Sequence, residues 1–224
     1  MQISVRAGQS DVKNQHDRPT CVAFAVTALH EHAYDVLNGA KARAEIDLSE
    51  EYLYYHCKKR DGLNHNSAGT TIVAASASLT TDGHALETLC PYQPFLRKGD
   101  SVSPTQAALA DGKTRLLPGL RRLNPSLASI RDSLRLSRPV IAVLDWYSNA
   151  YLAPKGCIDL PGPADRLLGR HAILVVEYAK EPTSGAWTIT FKNSWGPKWG
   201  DKGFGCFGPD YYRRYAREIW GLTL

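Results

Sequence analysis

The chain has no run of about 18 apolar residues, so no segment is long and apolar enough to cross a membrane as a helix. The opening residues, MQISVRAGQSDVKNQ, lack the basic-then-apolar layout of a secretory leader. The expectation is a protein that is cytoplasmic, or exported without a recognisable signal peptide. There is no CxxC pair. The five cysteines, at 21, 57, 90, 157 and 206, are scattered, odd in number and too sparse in 224 residues for a disulfide scaffold. Zinc-ligand spacing is missing as well. His30 and His32 lie two apart, which on a helix sends them to different sides, and His56 and Cys57 are adjacent. No metal or cofactor is expected. No internal repeat or low-complexity linker interrupts the chain. The net charge of +5 is mild, and the arginines at 121, 122, 131, 135 and 138 and in YYRRYARE (211–218) accompany no nucleic-acid motif. They read as solvated faces, so neither nucleic acid nor membrane is expected as a partner.

What remains is an ordinary globular composition, 43% hydrophobic and 22% charged. Its length suits one large domain or two closely packed lobes. From Thr20 to about Asn38 the spacing predicts a helix, with Val22, Val26, Leu29, Ala33, Val36 and Leu37 on one stripe. Thr20 is its expected cap and Asn38-Gly39 its stop. A second helix is expected after Ser49 as cap, with Leu48 and Leu53 as a hydrophobic staple and Glu50 and Glu51 at the positive end. A third, TTIVAASASL, follows Gly69. The second half reads as strands: VIAVLDW (140–146), HAILVVEYA (171–179) and WTITFKNSW (187–195). EPTSGA between the last two reads as a turn, so they should pair antiparallel. The expected fold class is α+β, helical in the first half and β in the second.

Taken alone, Cys21 reads as core packing, because free Cys is among the most buried residue types. The hairpin changes that reading. If Ala179 pairs with Trp187, His171 and Asn193 are near neighbours across the sheet. An amide-held imidazole together with a thiol at a helix N-terminus makes up a nucleophilic thiol site.

Four stretches now resemble papain-like cysteine peptidases: VKNQ…TCVAFA, LSEEYLYYHC, GRHAILVVEY and FKNSWGPKWGDKGFG. GHALETLCPY is similar to the family's Pro-Tyr segment, and the 150-residue step from Cys21 to His171 agrees with the family's spacing. The details resemble the short bacterial branch more than the secreted plant or lysosomal enzymes.

The resemblance implies one catalytic domain over 1–224, with a helical lobe at about 16–115 and a β-barrel-like lobe at about 116–224 plus 1–15. It implies an active site in the cleft between the lobes. Cys21 is implied as nucleophile, His171 as general base and acid, and Asn193 as the residue that orients the imidazole. Gln15 is implied as the oxyanion donor beside the Cys21 N–H, and Trp195 as a shield over the Asn–His bond. Gly69, with Thr70 beside it, falls where an extended peptide would pair. The implied substrate is a peptide or protein; no oligomeric state follows.

The sequence also departs from the family pattern. Arg18 stands where a disulfide cysteine is common, which fits a reducing compartment, although Cys157 and Cys206 remain available to pair. Val22 replaces the usual Trp. Arg170 precedes His171, where a fixed cation is expected to lower the imidazole pKa or to select an acidic substrate group. Fourteen residues precede Gln15, where the family usually carries a pro-segment, so the expectation is a mature part, a piece of a larger chain, or control by other means. Two alternatives stand beside a general peptidase: a narrow processing enzyme or isopeptidase, and a degenerate binding module.

Overall fold

A computed structural model describes residues 2–37, 46–62, 68–180 and 185–223. In chain order the elements are β1 (Gln2–Ser4), α1 (Cys21–Leu37), α2 (Glu50–Arg60), α3 (Ile72–Thr81), α4 (Gln106–Gly112), β2 (Leu120–Leu123), α5 (Leu127–Arg135), β3 (Val140–Tyr147), β4 (Cys157–Ile158), β5 (Leu167–Lys180), β6 (Trp187–Lys192), β7 (Phe204–Phe207), α6 (Pro209–Tyr215) and β8 (Ala216–Leu222). The strands form one eight-stranded sheet in the order β2-β8-β3-β5-β6-β7-β4, with β1 on β5. Apart from β1, the strands follow helices α1 to α4 in sequence, as the α+β expectation had it.

The apolar run of β5 divides between two cores because successive side chains point to opposite faces. Ala172, Leu174 and Val176 pack with α1, α2 and α3. Ile173 and Val175 pack with Ile130 and Leu134 of α5, Phe191 of β6 and Tyr211 and Tyr212 of α6. A strand buried on both faces therefore reads as a continuous hydrophobic run.

The α1 stripe is only part of what that helix buries. Every residue from Val22 to Ala33 is buried, whereas Val36, expected inside, is 51% exposed. The helix starts between the two lobes and runs out to the surface at its far end. Thr20 does not cap α1 through its side chain. Its carbonyl accepts the Phe24 N–H, and its hydroxyl is bonded to Tyr92 Oη at 2.8 Å. Ser49 does cap α2, accepting the Tyr52 N–H at 2.9 Å. Leu48 and Leu53 are both fully buried, as a staple requires. Thr71 caps α3, and Gly69 just before it takes a left-handed φ of +83°.

β5 and β6 pair antiparallel, with Ala179 opposite Thr188 and Leu174 opposite Lys192. β5 begins four residues earlier than the sequence implied, and β6 ends at Lys192, one residue short of Asn193. The expected helix stop at Asn38-Gly39 and the turn residues 181–184 lie outside the described residues.

Candidate active site

Cys21 is the first residue of α1 and is partly exposed, so its sulfur sits where the helix presents unpaired N–H groups. β5 brings His171 to the same place. Both line a cleft of about 740 Å³ whose walls include Gln15, His16, Arg18, Lys98, Trp146, Tyr151, Leu168, Arg170 and Trp195.

His171 Nε2 lies 2.8 Å from Asn193 Oδ1. The same oxygen accepts the Ser194 backbone N–H at 2.8 Å. A main-chain N–H only donates, so this contact fixes which end of the Asn193 amide is oxygen. Nε2 must then carry the proton, and in the neutral ring Nδ1 is left as the base. Trp146 and Trp195 flank the imidazole at centroid distances of 4.7 and 5.5 Å. Tyr151 stacks on Trp195 at 5.1 Å. These rings keep water from the Asn193–His171 bond and keep the imidazole dry. Burial accordingly pulls His171 down to about 4, against the Asn193 hydrogen bond, which favours the proton. Burial likewise pushes the Cys21 thiol up, against the backbone N–H groups of Ala172, Val22 and Cys21, which favour the thiolate. Burial thus disfavours the charged form of both groups.

Gln15 is buried and held at both ends of its amide. Oε1 accepts from Ser194 Oγ at 2.5 Å, and Nε2 donates to the Arg18 carbonyl at 2.8 Å. Its backbone N–H donates to Ser194 O at 2.8 Å, and Asn14 bridges to Trp195. The segment ahead of Cys21 is therefore paired to the segment that follows Asn193. Gly196 closes that pairing with φ +78°, and a Cβ there would meet Asn14 at 3.2 Å.

Arg170 is 65% exposed and lines the cleft, but it does not act on His171. Adjacent residues on a strand face opposite ways. Its nearest carboxylate is Asp145 at 4.0 Å, which Arg217 already grips. The low His171 pKa comes from burial and not from a neighbouring cation. The Thr70 hydroxyl donates to Asp61 at 2.8 Å, and neither Gly69 nor Thr70 is among the cleft-lining residues. Cys157 and Cys206, opposite each other on β4 and β7, form a disulfide. Among the described residues no cluster of three or more His, Cys, Asp or Glu is arranged to hold a metal ion.

Sequence reasoning missed Trp146, Ser194, Lys192 and the setting of Arg18. Trp146 reaches His171 through the β3–β5 register, which pairs Leu144 with His171. Lys192 is buried and donates to Ser10 Oγ at 2.7 Å. Ser10 in turn donates to Glu31, which Lys13 pairs at 3.2 Å together with Glu50 at 3.1 Å.

The family model described as papain family cysteine protease matches residues 2–212. The chain belongs to the papain family of cysteine proteases. A viral cathepsin of the Cydia pomonella granulosis virus is 27% identical over 201 residues, covering 88% of this chain and 53% of that protein. Cathepsin J of Rattus norvegicus is 29% identical over 196 residues, covering 86% and 55%. The chain thus spans about half the length of the curated relatives it matches. Xylellain, a cysteine protease from Xylella fastidiosa, superposes with a TM-score of 0.83 at 21% identity, covering 99% of this chain and 85% of that one. That likeness establishes the papain-like two-lobed fold.

Proposed function

We propose that this papain-family chain is a peptidase that hydrolyses peptide bonds in a peptide or protein substrate through Cys21, His171 and Asn193. The observation that carries the reading is the Asn193 Oδ1 shared by His171 Nε2 and the Ser194 N–H. It leaves Nδ1 as the base in the cleft that Cys21 also lines. The Cys21 proton passes to Nδ1, and sulfur attacks the carbonyl carbon. The carbonyl π electrons move to oxygen, and the second Gln15 Nε2 hydrogen with the Cys21 N–H receives that oxyanion. Collapse expels the amine, which takes the proton from Nδ1 and leaves a thioester on Cys21. Water then gives a proton to Nδ1, attacks the thioester and releases the acid, and the proton returns to sulfur.

Trp195 and Arg170, which line the cleft, supply the substrate contacts on the His171 side. The fold likeness to xylellain supports the bacterial branch, and the Cys157–Cys206 bridge supports export to an oxidising compartment.

Labelling with iodoacetamide, read by mass spectrometry, tests the site. Cys21 is expected to react well ahead of the buried Cys57 and Cys90, and His171→Ala is expected to abolish that lead. Cys21 labelling at the rate of an ordinary exposed thiol, unchanged in His171→Ala, would sink the assignment.

A further inference from the structure

We infer that Arg18 is the positioning residue of the oxyanion donor, acting through Gln15; the inference rests on the role of Gln15 given above. The Gln15 amide has one oxygen and two N–H bonds. Ser194 holds the oxygen at 2.5 Å, and the Arg18 carbonyl takes one N–H at 2.8 Å. The second N–H is directed by whatever fixes those two contacts. Ser194 is fixed by the Asn193 amide and by Gln15 itself. The Arg18 carbonyl belongs to no helix or strand; residues 16–19 form turns and bends, His16 takes φ +52°, and the carbonyl's other main-chain partner is the nearby Thr20 N–H at 2.8 Å.

The anchor of that loop is the Arg18 side chain, only 1% exposed. Its guanidinium pairs both Glu51 oxygens, at 2.5 and 3.2 Å. It also donates to Gln93 O at 2.8 Å and Asp100 O at 2.7 Å. The rings of Tyr54 and Tyr92 lie 5.3 and 4.9 Å from its central carbon. Tyr92 carries the constraint back to the donor, because its hydroxyl bonds Gln15 O at 2.9 Å. Glu51 is fully buried and also accepts from Gln93 N and Val102 N. One planar cation thus ties the loop before the nucleophile to α2 and to residues 93–102. A lysine has no planar fork and cannot fill these directions together.

If Arg18 works through Gln15, loosening it removes oxyanion stabilisation and leaves the nucleophile alone. The test compares two readouts. Peptide turnover needs the oxyanion donor; alkylation of Cys21 by iodoacetamide is a displacement at carbon with no oxyanion. For R18K we expect kcat to fall about 10-fold or more with KM little changed, the 10²–10³-fold loss typical of removing one oxyanion donor being the upper bound. Cys21 alkylation should keep its wild-type rate. In a Q15A background R18K should cost nothing further. The variant R18M/E51M, which removes both buried charges together and leaves no lone buried ion, serves if R18K does not fold, and should behave alike.

Unchanged kcat in a folded variant overturns the inference. So does a loss that multiplies with that of Q15A, or an alkylation rate that falls in step with turnover. If neither variant folds, the pair is structural and the inference is overturned. If Q15A itself retains full turnover while Cys21 remains essential, the Gln15 assignment fails first, and that result is distinct from the others.

Discussion

His30 and His84 face each other in the interior of the helical lobe, with their Nδ1 atoms 3.2 Å apart. His30 is 1% exposed and His84 fully buried, and His30 Nε2 has no partner among the described residues. His84 Nε2 is bonded to Ser49 O at 2.9 Å and lies 3.3 Å from Thr27 Oγ1. The neighbouring cation, Arg115, also disfavours charge here. Burial first, then Arg115, lowers His30 to about 3, and burial with its partner lowers His84 well below the usual range.

A histidine whose folded pKa is depressed binds fewer protons folded than unfolded. Stability is therefore full above the unfolded value of about 6.5 and is lost as pH falls through it. For His30, at about pH 4.5 the unfolded chain is favoured by about 2 pH units × 1.36, or ~3 kcal/mol, and at about pH 7.5 by almost nothing. Glu50, raised to about 8 chiefly by burial, pulls the other way over part of this range. The wild-type slope alone is thus a mixed quantity. The difference between wild type and His30→Gln cancels Glu50 and leaves His30, together with its share in lowering His84.

Urea unfolding at the two pH values provides the measurement. His30→Gln should be the less stable protein at about pH 7.5, from lost packing, and should gain on wild type by ~3 kcal/mol at about pH 4.5. A stability gap that stays constant to within about 1 kcal/mol between the two pH values would refute the reasoning.

Two further expectations concern the cleft and its frame. Arg170→Asn should leave the pH–rate profile unmoved, because burial and not Arg170 depresses His171; a shift of either limb shows that the guanidinium reaches the imidazole. Reducing Cys157–Cys206, which closes a loop of 49 residues, should cost about 2–4 kcal/mol in urea unfolding and leave the iodoacetamide rate at Cys21 intact. Loss of Cys21 reactivity on reduction would show that this bridge shapes the cleft.

The sequence carried the fold class and the elements around the site because their signals are local. Ser49 as cap, the alternation of β6 and the helical spacing after Thr20 each lie within a few residues. The His171–Asn193 pairing was legible because one short hairpin sets it. Trp146 was not, since it reaches His171 by a register between strands about 25 residues apart. Lys192 was not singled out because its partners, Ser10 and beyond it Glu31, come from the far end of the chain. Arg18 was noticed only as a missing cysteine. A fully buried arginine is recognisable only once its carboxylate and carbonyl partners are in place around it.

The pairing of residues 13–15 with 194–196 also makes Gln15 a tie between the two halves of the chain. Its amide oxygen and main-chain N–H are held by Ser194, while its own carbonyl accepts from Tyr92 Oη at 2.9 Å and its amide N–H reaches the Arg18 carbonyl, just ahead of α1. Gln15 and Cys21 therefore sit on one short segment that is bonded to both halves. A change that loosens either set of contacts would reach the oxyanion donor, while the Asn193–His171 bond lies wholly within the β half and keeps its own partners.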